Sequence, residues 1–289
     1  MDFFLTAILQ GLCFAGLATG IYLSMKIFNI PDITTDGSYT FGAVVTGVLL
    51  MKGWSAAAVL PVVMLSGALA GALTGLIHTK LKVNPLLAGI LVMTGLYSVN
   101  LGIMGRSNIP LLNFKTVFDY LHITGQKISN DLFCLLLISG GLVLAIGYLL
   151  KTDSGLTMRA TGNSERMIRA LGVNTDHVKI AGLALANALT ATSGYLMAQF
   201  QGFTDINMGV GIVIVGLGSV IIAETLNNWL RLKNIWLILL VVCGGAVTFQ
   251  LALAFTLSIG VDPVYLKLTT AILVLMIVGI PGLRRKAIA

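Results

Sequence analysis

Charge is the scarcest resource in this sequence: acidic and basic residues together make up 10% of 289 positions, against 57% hydrophobic and a mean hydropathy of +0.96. A soluble globular chain carries about 25% charged residues, so that class is excluded and an integral membrane protein is expected. Cysteine is nearly absent as well. Cys13, Cys134 and Cys243 all lie in apolar runs, which reads as small buried side chains and excludes a disulfide framework or a thiolate metal site. The three histidines, His78, His122 and His177, stand at span ends or in loops, and H-E-x-x-H, G-x-S-x-G and G-x-x-x-x-G-K-[ST] are all missing. Enzymatic chemistry, unaided ATP hydrolysis and a resident cofactor are therefore not expected. Missing too is any row of intramembrane carboxylates and arginines of the kind that relays protons or senses voltage, so a transporter here would take its energy from another chain. Met1-Asp2 offers no basic n-region, and no cleavable signal peptide is expected.

What is present is a series of apolar segments. Against the roughly 20 residues that one helix needs to cross the hydrocarbon core, nine spans are expected. They run approximately over 3–30, 33–51, 55–78, 85–104, 131–150, 180–203, 207–224, 234–257 and 264–280, in a single all-α polytopic bundle. The net charge of +7 is scattered over short connections and does not suggest nucleic acid. With the segment Lys151–Lys179 inside, alternation leaves Lys52, Arg106, Lys115, Lys127 and Lys267 outside and the other thirteen of eighteen basic residues inside. That bias predicts a cytoplasmic C-terminus and an external N-terminus in a bacterial cytoplasmic membrane. The outer connection 105–130 is too apolar for a free linker and is expected to fold back on the outer face, with a short helix around 116–121. It reads equally well as a lid over helix ends or as a docking surface for an external protein. Gly67, Gly71 and Gly75, at i, i+4 and i+8, mark a close helix crossing, and Asn100, Asn187, Thr190, Thr192, Ser193 and Gln250 supply interhelical hydrogen bonds. Trp54, Trp229 and Trp236 fall at span boundaries as interfacial anchors.

The polar island 151–179 contains five of the eighteen basic residues: Lys151, Arg159, Arg166, Arg169 and Lys179. Within it, one short amphipathic helix is predicted over Asn163–Gly172. Asn163 caps its start, Glu165 suits the positive dipole end, Arg169 suits the last turn and Gly172 stops it. Met167, Ile168 and Leu171 form one apolar face. An apolar face outside the membrane needs a partner to dock against.

The halves on either side of the island, approximately 1–150 and 178–289, share the pattern T-D-x5-G-x-V-x2-G at an offset of 169: Thr35, Asp36, Gly42, Val44 and Gly47 match Thr204, Asp205, Gly211, Val213 and Gly216. The matched segments are the second and seventh of nine, so the copies are inverted, a plan that recurs in transport proteins with the path at the repeat interface. The uninterrupted apolar run after the first Thr-Asp pair, 39–51, is about 20 Å of helix against a core of about 30 Å. Either the bilayer thins there or the second helix is broken, with Pro31, Asp32, Thr34, Thr35, Asp36 and Ser38 in non-helical backbone. The matching cluster in the second half is Gln199, Gln201, Thr204, Asp205 and Asn207. Two readings stand for Thr35, Asp36, Ser38, Thr204, Asp205 and Asn207: they line a transport path or its gates, or they are polar residues of loops at the membrane surface.

The stretch from Gly155 to Gln199 resembles the cytoplasmic coupling region, and the helix after it, of permease subunits of bacterial ABC importers in the branched-chain amino acid and ribose superfamily. The resemblance rests on R-A-x-G-x-N-x7-G: Arg159, Ala160, Gly162 and Gly172 keep the spacing, while Ser164 stands where the family has Asn and Asn163 precedes it. PDITTDGSYTFGAVV is similar to the family's D-x-[ST]-x-G-[SA] entry into its second helix, with stretched spacing. The compact length and T-D-G-S start look closest to tryptophan/tyrosine-type importers. The resemblance implies a permease homodimer in lipid, two cytoplasmic ABC ATPase subunits that receive the coupling helices, and an external solute-binding protein. It implies import of a small solute, an amino acid and within that an aromatic one first, with sugars and nucleosides the other choices of the superfamily. The rival expectation is a self-sufficient carrier or channel on the same repeat.

Overall fold

The computed structural model describes residues 2–120 and 127–286. Twelve α-helices make the bundle: α1 Asp2–Cys13, α2 Ala15–Ile21, α3 Thr34–Met51, α4 Ala56–Lys80, α5 Pro85–Met104, α6 Lys127–Leu149, α7 Asp153–Asn163, α8 Glu165–Ala170, α9 Thr175–Gln201, α10 Ile212–Leu230, α11 Ile235–Ser258 and α12 Leu266–Lys286. A π-helical turn, Tyr22–Ile27, continues α2. The helix ends follow local chemistry. Asn84, Asn174 and Asn234 each turn a carboxamide oxygen onto the first backbone N–H groups of α5, α9 and α11, and Gly105 and Gly202 close α5 and α9 in the left-handed conformation.

Among the described residues, six helices are long and apolar enough to cross a membrane: α4, α5, α6, α9, α10 and α11. The pair α1–α2, bent by 43° at its break, raises the number to seven if it counts as one span. The expected nine is not reached on that measure. A helix underlies each of the nine segments, but α3 spends its first turns on Thr-Thr-Asp-Gly-Ser, and the apolar part of α12 is only Leu266–Ile277. Asp32 explains where α3 starts, because its Oδ1 accepts the Thr34 N–H at 2.9 Å. Thr34, Thr35, Asp36 and Ser38 are helical, so of the two alternatives for this segment the non-helical one holds only for Pro31 and Asp32. The seventh segment starts later than expected, at Ile212, after the strand β2 Phe203–Asp205 and a run of turns.

β2 pairs antiparallel with β1, Asn108–Pro110, so the described part of the connection 105–130 folds back onto the bundle. Its short 3-10 helix, Val117–Tyr120, is held by Gln199, whose carbonyl oxygen accepts the Val117 N–H at 2.8 Å. Leu121, the last residue of the helix expected there, lies outside the described residues, as do Met1 and Ala289, the ends on which the orientation was stated.

The core is organised on α9, whose membrane window is 78% buried, more than any other span. It packs against α2, α3 and α4. Gly67, Gly71 and Gly75 let α4 lie against α9 backbone to backbone: a Cβ on Gly71 would strike the Leu183 carbonyl, and one on Gly75 would stand 2.8 Å from Ile180 Cα. On the other side, α10 packs on α2, α11 and α12 as α3 packs on α9, α4 and α5.

Candidate functional site

The island folds differently from the single helix expected over Asn163–Gly172. Asn163 is the last residue of α7, and Ser164 stands in extended backbone (φ −153°, ψ 92°) as the residue that opens the six-residue α8. Two cap-type residues adjoin here, and the break falls after the first. Gly162 accounts for the placement. It abuts the Ile27 carbonyl so closely that any Cβ would clash, and its own carbonyl accepts from Asn29 Nδ2 at 3.0 Å. The end of α7 is thereby fastened to the segment that follows α2. Gly172 (φ +84°) follows α8 in the left-handed conformation that glycine adopts without steric cost.

Glu165 binds α8 to α9. Its carboxylate accepts from Lys179 Nζ at 2.6 Å, Arg169 Nη2 at 2.8 Å and Thr175 Oγ1 at 3.1 Å. Arg169 also reaches Asp176 at 2.9 Å, and Lys80 of α4 approaches Asp176 at 3.7 Å. The Lys179 hydrogen bond, ahead of the pull of the Lys179 and Arg169 charges, holds the Glu165 carboxyl below the ordinary carboxylate value. The expected apolar face is split. Ile168 is 7% exposed and belongs to the protein interior, while Met167 and Leu171 are 63% and 69% exposed. Arg166 is exposed beside them, and Arg159 lies on α7 rather than on the short helix.

The six path or gate residues do not converge on one cavity. Asp36 is 8% exposed, and its two oxygens accept the backbone N–H groups of Gly211 at 2.9 Å and Val213 at 2.8 Å. It thus caps the N-terminus of α10 from the first turn of α3, placing a carboxylate where two positive helix ends meet. Thr35 donates to the Asp32 carbonyl at 3.2 Å, and Ser38 to Asn187 Oδ1 at 2.7 Å. Thr204 donates to the Ala43 carbonyl at 3.2 Å. Asp205 closes a local turn on the Asn207 N–H at 2.8 Å, and Asn207 is exposed. Around Asp36 there is room for only about 30 Å³, lined also by Tyr97 and Asn100. Asn187, expected as an interhelical bond, is one: besides Ser38 it reaches Asp32 Oδ2 at 2.7 Å.

A much larger cavity, about 430 Å³, lies between α1, α9, α10, α11 and α12. Its polar groups are Thr6, Gln10, Gln201, Gln250 and Thr270, its walls are Phe3, Phe14, Met197, Leu253 and other apolar side chains, and no lining residue is charged. Gln201 and Gln250 had been noted as polar residues. That Thr6, Gln10 and Thr270 would face them had no signal in sequence, because they come from distant helices and stand singly in apolar runs.

Residues 3–281 match the family model described as branched-chain amino acid transport system, permease component. The chain belongs to this permease family. It is 39% identical over 276 residues, covering 95% of its own length, to 90% of a tyrosine transport system permease protein of Clostridioides difficile. An uncharacterized protein of Rickettsia prowazekii is 35% identical, with 94% and 95% of the two chains covered. More distant is the autoinducer 2 import system permease protein LsrC of Yersinia pestis, 28% identical over 71% of this chain and 57% of that one. No solved structure matches significantly. The protein is an integral membrane permease component of a transport system and not an enzyme.

Proposed function

We propose that the chain is the membrane subunit of a binding-protein-dependent ABC importer. Two copies would form the pathway, α8 would dock in a cytoplasmic ATPase subunit, and an external binding protein would deliver the solute to the face that carries β1 and β2. The observation that carries this reading is Met167 and Leu171 standing exposed at a short helix that Glu165 and Arg169 clamp to Thr175, Asp176 and Lys179. A rigid helix with two bare apolar side chains suits insertion into a groove on a partner. The energy source is external on this reading because the chain has no nucleotide motif. The nine crossings, the inverted halves around a coupling loop at 151–179, and the inward C-terminus belong to the same proposal. The parallel neighbourhoods of α3 and α10 support the repeat, and the thirteen-to-five distribution of basic residues supports the orientation.

For the solute we propose a small amino acid, aromatic first. The name of the 39% identical relative supports it, and so does the 430 Å³ cavity, which falls within the usual range for small-ligand sites and offers carboxamides and hydroxyls among apolar walls without a fixed charge. Asp36 is assigned as the joint of the gate, joining α3 to α10 rather than touching solute. The test is reconstitution in liposomes of the permease with its ATPase and binding protein, followed by uptake of labelled tyrosine, leucine and ribose. Uptake that needs ATP and all three components, with tyrosine preferred, is expected. Equal uptake by the permease alone would replace this reading with that of a self-sufficient carrier.

A further inference from the structure

A second cavity, about 240 Å³, opens where the π-helical turn after α2, the start of α7 and the start of α11 come together. Its rim carries Lys151, Arg159 and Lys233, and its wall carries Ile27, Ile235 and Ile238. No acidic residue lines it, and none of the three cations forms an ion pair among the described residues. Three uncompensated cations around one concavity repel one another and call for an anion. The position gives its kind. α6 ends at Leu149 and α11 begins at Ile235, so the cavity lies where spans leave the apolar layer. Trp236, whose ring is 5.2 Å from Lys151 Nζ, has the interfacial place typical of tryptophan in membranes.

We propose that this cavity binds the headgroup of an anionic phospholipid. The phosphate sits among Lys151, Arg159 and Lys233, and the glycerol and first methylenes lie along the three isoleucines. A free phosphate would satisfy the cations but leave the isoleucine wall unused, and a zwitterionic lipid would bring its own cation to the rim. Basic pockets between helices at the membrane surface are suited to such headgroups. The bound lipid would join α7, the first span and α11 at the base of the island, a role independent of which solute is carried.

The experiment uses the full-length permease purified in neutral detergent, with native mass spectrometry and melting temperature as readouts. Titrants are phosphatidylglycerol, phosphatidylcholine and inorganic phosphate. Phosphatidylglycerol is expected to remain bound and to raise the melting temperature, with phosphatidylcholine doing neither. Each cation near an anionic lipid contributes roughly fivefold in affinity, so Lys151→Gln with Arg159→Gln and Lys233→Gln should weaken retention about a hundredfold. Lys52→Gln with Lys267→Gln, which removes two cations elsewhere, should leave retention unchanged. Should the triple variant fail to fold, Lys233→Gln and Arg159→Gln alone are each expected to cost about fivefold, and Arg159→Lys to restore most of it. Equal binding of phosphatidylcholine, or retention unchanged in the triple or the single variants, overturns the proposal. So does a melting temperature raised as much by millimolar inorganic phosphate as by phosphatidylglycerol, which marks a free-anion site.

Discussion

Changing Met167 and Leu171 together to aspartate removes the apolar pair that α8 presents to solvent. Complete burial of a Met or Leu side chain stabilises by about 1.5–3 kcal/mol, and these two remain 63% and 69% exposed in the free protein. Two-thirds of that value is about 1–2 kcal/mol each, hence about 2–4 kcal/mol for the pair. The dissociation constant for the ATPase subunit should rise roughly thirty- to a thousandfold. Both positions face solvent, so insertion and folding should survive the change, and the melting temperature of the isolated permease checks this. Copurification in detergent with the tagged ATPase subunit, followed by titration of the purified partners, measures the loss. Ile168→Asp is not an equivalent test. That residue is 7% exposed, and an aspartate there places a charge in the interior and unseats α8 whether or not anything docks. An ATPase affinity within about fivefold of wild type for the double variant would refute the assignment of α8 as the coupling helix.

Asp36→Ala leaves the Gly211 and Val213 N–H groups without their acceptor inside the bundle, at a cost of about 1–3 kcal/mol for each donor. A clear drop in melting temperature is expected. Asp36→Asn, which keeps one acceptor oxygen, should lose less, and equal losses in the two variants would show that the cap is unimportant. Gly162→Ala drives a methyl into the Ile27 carbonyl and should cost about 1–3 kcal/mol, read as faster proteolysis between α7 and the first span; a neutral outcome would contradict the packing. The Glu165 carboxyl is held below its ordinary value, so its contribution is complete above that value and is lost as pH falls through the lower folded-state value. Its side chain is 35% exposed and solvent screens it, which limits the effect to under about 1 kcal/mol. The melting-temperature gap between wild type and Glu165→Gln should therefore be constant above the ordinary carboxylate value of 4.5 and narrow as the pH falls below it. A gap that widens with acidification would reverse the assigned sign.

The features legible in sequence were those with a period or a composition of their own. Gly67, Gly71 and Gly75 repeat at the helical spacing that a close crossing requires, and α4 makes that crossing on α9. The nine apolar segments all became helical, since length and hydropathy act locally. Illegible were events decided by distant backbone. Nothing in the expected span 3–30 marks the 43° bend after Cys13, and no residue pattern announces the π-helical turn Tyr22–Ile27. The T-D-x5-G match concealed a division of labour. Gly42 is glycine because a Cβ would strike the Ala191 carbonyl, whereas Gly211 is glycine because its φ is +85°. Asp36 is buried at the N-terminal end of α10, while Asp205 closes a local turn at half exposure. Identical letters at an offset of 169 thus serve different physical ends.

Asn187 is where the Glu165 cluster and the helix ends in the bundle become one object. Its helix, α9, starts at the Glu165 cluster, through Thr175, Asp176 and Lys179, and three turns later its carboxamide holds both Asp32, which starts α3, and Ser38 on α3 itself. Two residues before Ser38, Asp36 holds the start of α10. The links from α9 to α3 and from α3 to α10 are hydrogen bonds, one of them made through Asp32 in the non-helical segment just before α3. On the proposed reading, a displacement of α8 by an ATPase reaches α10 through α9, the most buried of the six long apolar helices. The same continuity makes the reverse transmission equal in size: a solute or binding protein that shifts α10 must bias α8 by the same coupling free energy.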